Sequence, residues 1–139
     1  MKKKIKVGII GGGQLGMMLA EASSKLNIVP LIYSNTKESP AAKVAKTYYG
    51  DFNDDKKIRK FISKVDLITY EFENIPTSSL KIIEKSIPIF PPISALKITQ
   101  DRVKEKKFFK DNNIPCAKTL ILKKTVSYTH LTLPTKVRV

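Results

Sequence analysis

Short apolar runs alternate with segments of helical periodicity through the first 90 residues of the chain. Strands are predicted at residues 5–10, 28–33, 47–49, 65–70 and 87–90. The first run is mostly apolar and stops at three glycines, which is typical of a strand buried in a parallel sheet. Pro88 favours an edge position for the last strand, because proline cannot donate a hydrogen bond to a neighbouring strand.

Segments between these strands have the spacing of helices. One apolar helix face is predicted from Leu15, Met18, Leu19, Ala22 and Leu26. Asn27 can end this helix in the left-handed conformation. Further helices are predicted after the turn at residues 50–54 and from Pro76 onward, and residues 37–46 are predicted to form a loop with one or two helical turns. This alternation predicts an α/β fold, a Rossmann-like parallel sheet with right-handed crossovers and helices on both faces.

The segment after residue 92 departs from the alternating pattern. Ser94 is predicted to cap a helical stretch that runs through residues 101–110 and ends near Asn112. Its many lysines are typical of a solvated linker helix. Residues 119–122 are a candidate for one further strand.

Residues 11–16 read Gly-Gly-Gly-Gln-Leu-Gly, which satisfies the pattern G-x-G-x-x-G between a strand and a helix. Such glycines let a ligand approach the backbone, and the helix N-terminus offers free N–H groups to negative charge. A dinucleotide-binding unit should also have an acidic residue about 20 positions later. Residues 31–36 contain none, so a dinucleotide-binding dehydrogenase or sensor domain remains a weaker alternative.

Glu71 follows the fourth predicted strand. In a sheet ordered 3-2-1-4 the first and fourth strands are neighbours, and their carboxyl ends meet at one crevice. The glycine loop and Glu71 are therefore predicted to face each other. Alternation places Glu73 on the same side of the chain, and spacing alone does not distinguish the two glutamates.

Composition narrows the class of protein further. The chain has 139 residues, a formal net charge of +14 and one cysteine, Cys116. Its only arginines are Arg59, Arg102 and Arg138, and the lysines are scattered, so a lysine-rich surface is favoured over a basic nucleic-acid-binding module. No apolar run reaches the roughly 20 residues of a membrane helix. We expect a soluble cytoplasmic protein without a disulfide framework.

Five motifs in order carry a resemblance to a known family: residues 11–19, 40–42, 50–51, 69–76 and 100–102. In sequence and spacing they resemble 5-(carboxyamino)imidazole ribonucleotide synthase, an ATP-grasp ligase of purine biosynthesis. The resemblance covers about residues 5–122. It implies a pre-ATP-grasp substrate domain at residues 1–93, and a linker helix with the start of an ATP-grasp domain at residues 94–125. Residues 126–139, which include the only histidine, depart from the family and are expected to be a non-native tail.

The resemblance also implies a reaction. ATP, accompanied by Mg²⁺, phosphorylates bicarbonate, and the amine of 5-aminoimidazole ribonucleotide captures the carboxyl group. The implied substrate-binding residues are Gly13, Gln14, Leu15 and Glu71, with Glu71 preferred to Glu73, and the implied ATP-binding residue is Arg102. The family's phosphate-covering loop and magnesium carboxylates have no match here, so no catalytic or metal-binding residue is predicted. We expect this fragment to be inactive alone, and the full-length protein to be a homodimer.

Overall fold

The computed structural model describes residues 4–71 and 74–119, with only the backbone of Thr77. Five strands form one sheet: β1 Lys6–Ile10, β2 Val29–Ser34, β3 Lys46–Tyr49, β4 Leu67–Tyr70 and β5 Ile89–Phe90. Their order is β3-β2-β1-β4-β5 and every pairing is parallel. The predicted α/β fold and strand order are confirmed, and β5 is the short edge strand that Pro88 indicates.

Within residues 4–71 and 74–119, five helices and one 3₁₀ turn connect or follow the strands. They are α1 Gln14–Lys25, the 3₁₀ turn Pro40–Lys43, α2 Asp55–Ile62, α3 Thr77–Glu84, α4 Ile93–Thr99 and α5 Arg102–Asp111. Asn27 has a φ of 60°, so it ends the first helix in the predicted left-handed conformation. The Asp54 side chain accepts a hydrogen bond from the Lys57 amide at 3.0 Å and caps α2. The hydrogen bond from the Lys57 amide lowers the pKa of Asp54, and the Lys57 side chain makes a smaller contribution in the same direction.

Apolar side chains pack on both faces of the sheet. The larger cluster joins the sheet to α2, α3 and α4, and its fully buried members include Phe61, Ile68 and Leu80. The smaller cluster lies under α1 and the 3₁₀ turn and contains Ala20 and Ala41. Helices therefore cover both faces, as the alternating pattern predicts.

Tyr33 links β2 to the turn before α2. Its hydroxyl donates to the Asp51 carbonyl oxygen at 2.9 Å, and its ring packs on Phe61 with centroids 5.3 Å apart. Burial, followed by the charges of Asp54 and Asp51, raises the pKa of Tyr33 to about 12. The phenol therefore remains a hydrogen-bond donor throughout the neutral pH range.

The apolar face predicted for α1 does not face the sheet. Leu15 and Leu26 are 59% and 72% exposed, and Met18 and Leu19 are also exposed. The buried positions of α1 are Gly16 and Ala20. A Cβ at Gly16 would lie 2.5 Å from the Gly11 carbonyl oxygen. The helix lies so close to the glycine loop that only small residues fit beneath it, and this steric limit overrides the pattern of large apolar residues.

The helix predicted from Ser94 through residue 110 is two helices. Pro92 precedes the first residue of α4, so Ser94 lies inside the helix and does not cap it. The chain breaks between α4 and α5, where the Asp101 carboxylate accepts from the amides of Val103 and Lys104. These hydrogen bonds, chiefly the one from the Lys104 amide, lower the pKa of Asp101.

Some sequence predictions fall outside the described residues. They concern Glu73, most of the candidate strand at 119–122 and the tail at 126–139. Within the described part of the chain, no helix is both long and apolar enough to cross a membrane. The proposed domain boundaries at residues 93 and 125 stay predictions.

Because α1 packs closely on the glycine loop, the same change from alanine to leucine should affect stability differently on its buried and exposed faces. Ala20→Leu inserts a larger side chain at a buried position, and should lower the free energy of unfolding by about 1–3 kcal/mol. Ala22→Leu adds the same atoms on the exposed face and should change it by less than about 0.5 kcal/mol. Urea denaturation of both variants measures this difference. A greater loss of stability in Ala22→Leu would contradict the observed orientation of α1.

Candidate functional site

The candidate site lies where β1 and β4 end side by side. Ile10 pairs with Tyr70 in the parallel register, and the Glu71 amide donates to the Ile10 carbonyl oxygen at 3.1 Å. On the other side of β1, the Gly11 amide donates to the Tyr33 carbonyl oxygen at 2.9 Å. Strand pairing thus fixes the glycine loop between the ends of β2 and β4, at the switch point where doubly wound sheets bind ligands.

A hydrogen bond joins the glycine loop to Glu71, the residue directly after β4. The Gly13 amide donates to Oε1 of Glu71 at 2.9 Å. Gly13 is the N-cap residue of α1, so the carboxylate lies where the helix dipole favours negative charge. Its second oxygen remains an acceptor for a ligand. The predicted juxtaposition of the glycine loop and Glu71 is confirmed, and its role in substrate binding stays a prediction.

Gly11 gives Glu71 room to make this bond. It has a φ of 117°, a conformation that side-chain-bearing residues rarely adopt. A Cβ at this position would lie 2.5 Å from Oε1 of Glu71. The first glycine of the loop is therefore required both for the backbone turn and for the position of the carboxylate.

The 3₁₀ turn encloses the other side of the loop. The Ala41 amide donates to the Gly12 carbonyl oxygen at 3.0 Å. A Cβ on Gly12 would lie 2.6 Å from Oγ of Ser39 and 2.7 Å from Oγ of Ser34. Between these segments is a cavity of about 240 Å³, which we term the polar cavity. Its walls include the three loop glycines, Glu71 and the hydroxyl-bearing residues Ser34, Thr36 and Ser39.

Ser39 has an unusual environment in this wall. The residue is buried, and its Oγ has no hydrogen-bond partner among the described residues. Ser34, by contrast, accepts a hydrogen bond from the Thr36 amide at 3.2 Å. A buried hydroxyl without a partner favours a polar occupant nearby. Sequence reasoning missed this hydroxyl cluster, and the only signal for it was the polar composition of residues 34–39.

The remaining predicted site residues lie at the ends of helices. Gln14 and Leu15 are the first two residues of α1, and both are exposed. Gly13, the N-cap residue, has no side chain with which to cap α1, so the first amides of the helix are candidates to bind a ligand. Arg102 begins α5, is exposed, and forms an ion pair with Glu105. The binding roles of Gln14, Leu15 and Arg102 stay predictions.

Larger cavities exist elsewhere. One of about 600 Å³ includes Arg59, Asp66 and Ser86 in its walls, at the opposite edge of the sheet, and another of about 670 Å³ lies beside α5. We favour the smaller cavity at the glycine loop, because ligands of open α/β sheets bind beyond the carboxyl ends of the strands. The 600 Å³ cavity lies before the amino ends of β4 and β5.

The end of β2 does not favour a dinucleotide. Ser34 ends the strand, and Asn35 and Thr36 follow it in the cavity wall. The site therefore lacks the carboxylate that holds ribose hydroxyls at this position in dinucleotide-binding units. Its carboxylate instead comes from Glu71, directly after β4.

Comparison with known proteins matches residues 2–100 to the ribonucleotide synthetase preATP-grasp domain. N5-carboxyaminoimidazole ribonucleotide synthase of Pseudomonas aeruginosa is 36% identical over 111 residues, covering 80% of this chain and 31% of the relative. The crystal structure of the synthetase from Thermus thermophilus has a TM-score of 0.75 and 38% identity, covering 78% and 30% of the two chains. The Aspergillus clavatus synthase, in complex with ADP and 5-aminoimidazole ribonucleotide, has a TM-score of 0.74 and 30% identity, covering 85% and 32%.

The parallel sheet and the glycine loop at its switch point define a Rossmann-like α/β domain. The chain belongs to the ribonucleotide synthetase preATP-grasp domain family, as its motifs indicate. It spans about a third of the length of the relatives that it matches.

The position of Gly11 predicts that a methyl group will disturb the site. Gly11→Ala forces a strained backbone and displaces Glu71, and should lower the free energy of unfolding by about 1–3 kcal/mol. The amide signal of Gly13 in a ¹⁵N NMR spectrum should also move as its acceptor shifts. Gly13→Ala is the control, because Gly13 has a φ of −70° and its Cβ would lie 3.1 Å from Glu71. Equal loss of stability in both variants would contradict the special role of Gly11.

Proposed function

We propose that this chain forms the ribonucleotide-binding part of a ligase that carboxylates 5-aminoimidazole ribonucleotide with bicarbonate and ATP. The observation that carries the proposal is the crevice between the glycine loop and Glu71 at the carboxyl ends of β1 and β4. It is supported by relatives named N5-carboxyaminoimidazole ribonucleotide synthase at 31–38% identity. Because the chain spans about a third of their length, the ligase activity is proposed for the whole protein.

In this reaction an oxygen of bicarbonate attacks the terminal phosphorus of ATP, forming carboxyphosphate and ADP. The exocyclic amine of the ribonucleotide then attacks the carboxyl carbon, phosphate leaves and the nitrogen loses a proton. The part proposed for this chain is to bind and orient the ribonucleotide, since orientation lowers the cost of bringing the reacting groups together. Glu71 accepts a hydrogen bond from the ligand, and the first amides of α1 donate to it.

ATP is proposed to contact Arg102. Its guanidinium is always charged and can form paired hydrogen bonds with phosphate oxygens. The side chain is exposed on the first residue of α5, so exchanging its ion pair with Glu105 for a phosphate requires no change in the core. Among the residues that the structure describes, no three His, Cys, Asp or Glu side chains come together to hold a metal. The magnesium ion that accompanies ATP is therefore assigned to none of them.

Three further expectations belong to the same proposal. A cytoplasmic location fits the purine-biosynthetic relatives and the single cysteine, which is free and exposed. A homodimer is proposed for the whole protein from the family resemblance. Bicarbonate is proposed on the same basis.

The role of Glu71 can be tested by removing its charge alone. Glu71→Gln retains the shape of the side chain and an oxygen for the Gly13 amide, but weakens a hydrogen bond to a charged acceptor by about 1.5–3 kcal/mol. Calorimetric titration with 5-aminoimidazole ribonucleotide should show an affinity about ten- to hundredfold lower.

Two matched variants serve as controls for this titration. Glu38→Gln removes an exposed carboxylate from the loop before the 3₁₀ turn, and should leave the affinity unchanged. Glu73→Gln should weaken binding less than Glu71→Gln. The assignment is wrong if Glu73→Gln or Glu38→Gln is the most damaging of the three.

A further inference from the structure

A side-chain hydrogen bond joins two segments that each carry a proposed ligand contact. Nε2 of Gln100 donates to the Ile75 carbonyl oxygen at 3.2 Å, across 25 positions of sequence. Ile75 lies in the loop after β4, four positions beyond Glu71, and Gln100 lies two positions before Arg102. The bond therefore links the segment of the proposed ribonucleotide contact to the segment of the proposed ATP contact.

The acceptor of this bond has a fixed position. The Ile75 side chain is buried in the larger core cluster. Pro76 is the N-cap residue of α3, and its carbonyl oxygen accepts from the amides of Ser79 and Leu80. The Ile75 carbonyl oxygen precedes these helical hydrogen bonds, so the side-chain amide of Gln100 provides a partner that the helix does not.

The donor is fixed by α4. Gln100 is the C-cap residue of this helix, and its backbone amide donates to the Leu96 carbonyl oxygen at 2.9 Å. Leu96 and Ile93 anchor the helix in the core. At the other end of α4, the Tyr70 hydroxyl donates to the Pro92 carbonyl oxygen at 3.4 Å. The helix is thus attached to β4 at its start and to the loop after β4 at its end.

The link continues directly into α5. Asp101 follows Gln100, and its carboxylate accepts from the amides of Val103 and Lys104, which starts the helix at Arg102. Only one residue therefore separates the hydrogen-bonded glutamine from the arginine. A displacement of Gln100 must move the start of α5, and with it the exposed guanidinium.

From this geometry we propose that Gln100 is a positioning residue, which holds Arg102 in a fixed position relative to Glu71. The carboxyl group activated by ATP has to reach the amine of the ribonucleotide, so the two ligands must be held in one relative position. The inference rests on the proposed function and adds a coupling between its two ligand contacts. Ribonucleotide that binds beside Glu71 should then be sensed at Arg102.

The test removes this hydrogen bond in two ways. Gln100→Met retains an unbranched side chain of similar length that cannot donate. Gln100→Asn retains the amide group but shortens the side chain by one methylene group, and is the milder change. Asn112→Leu is the matched control, because Nδ2 of Asn112 donates to the Phe108 carbonyl oxygen at 2.9 Å, in a bond that stays within the end of α5. Circular dichroism melting checks that each variant is folded.

The measurement is a titration of each ¹⁵N-labelled chain with 5-aminoimidazole ribonucleotide, followed by NMR. In the unmodified chain and in Asn112→Leu, the ligand should shift the signals of Gly12 and Gly13 and also the backbone and Nε signals of Arg102. In Gln100→Met and Gln100→Asn the shifts at the two glycines should persist, and those at Arg102 should be lost. A loss of stability alone would not separate these two groups of signals.

The outcomes distinguish this coupling from the function on which it rests. If the unmodified chain does not bind the ribonucleotide, the proposed function is contradicted and the inference falls with it. If the ligand shifts Gly12 and Gly13 but leaves Arg102 unmoved in the unmodified chain, only the coupling is wrong. The coupling is equally wrong if Arg102 responds fully in both Gln100 variants, or if Asn112→Leu abolishes the response as they do.

Discussion

The hydrogen bond between the Gly13 amide and the Glu71 carboxylate connects the two halves of the sheet at its carboxyl edge. It depends on the parallel pairing of β1 with β4, which brings residues 58 positions apart within 2.9 Å. It also depends on Gly11, because a side chain there would occupy the space of the carboxylate. The bond positions a charged acceptor beside the N-terminal end of α1, in the wall of the polar cavity. Sheet topology and loop conformation are thus coupled through one carboxylate.

The same loop determines how α1 packs. Because the helix starts within contact distance of the Gly11 carbonyl oxygen, its buried positions must be small, and Gly16 and Ala20 occupy them. The larger apolar residues of α1 lie on its exposed face as a result. Close approach also brings the 3₁₀ turn onto Gly12 and forms the polar cavity with its buried Ser39 hydroxyl. The close contact with the glycine loop therefore overrides the usual amphipathic arrangement at this helix.

Much of the architecture follows from local signals in the sequence. Short apolar runs bounded by glycine, asparagine or proline predict the strands, and parallel alternation then requires the glycine loop and Glu71 to meet. The orientation of α1 could not be predicted, because apolar periodicity does not report how closely a helix approaches its neighbour. The break at Asp101 and the Ser39 environment were missed for a similar reason. At Asp101, an N-cap ends the predicted helix and starts a second one. At Ser39, burial of the hydroxyl depends on residues that are distant in sequence.

We propose that the ribonucleotide binds at the carboxyl edge of the sheet beside Glu71. This proposal is tested most directly by titrating the ¹⁵N-labelled chain with 5-aminoimidazole ribonucleotide and following the backbone amide signals by NMR. We expect the largest shifts at Gly12, Gly13 and Gln14, around the Glu71 carboxylate. Shifts confined to the opposite edge, around Arg59, Asp66 and Ser86, would contradict it.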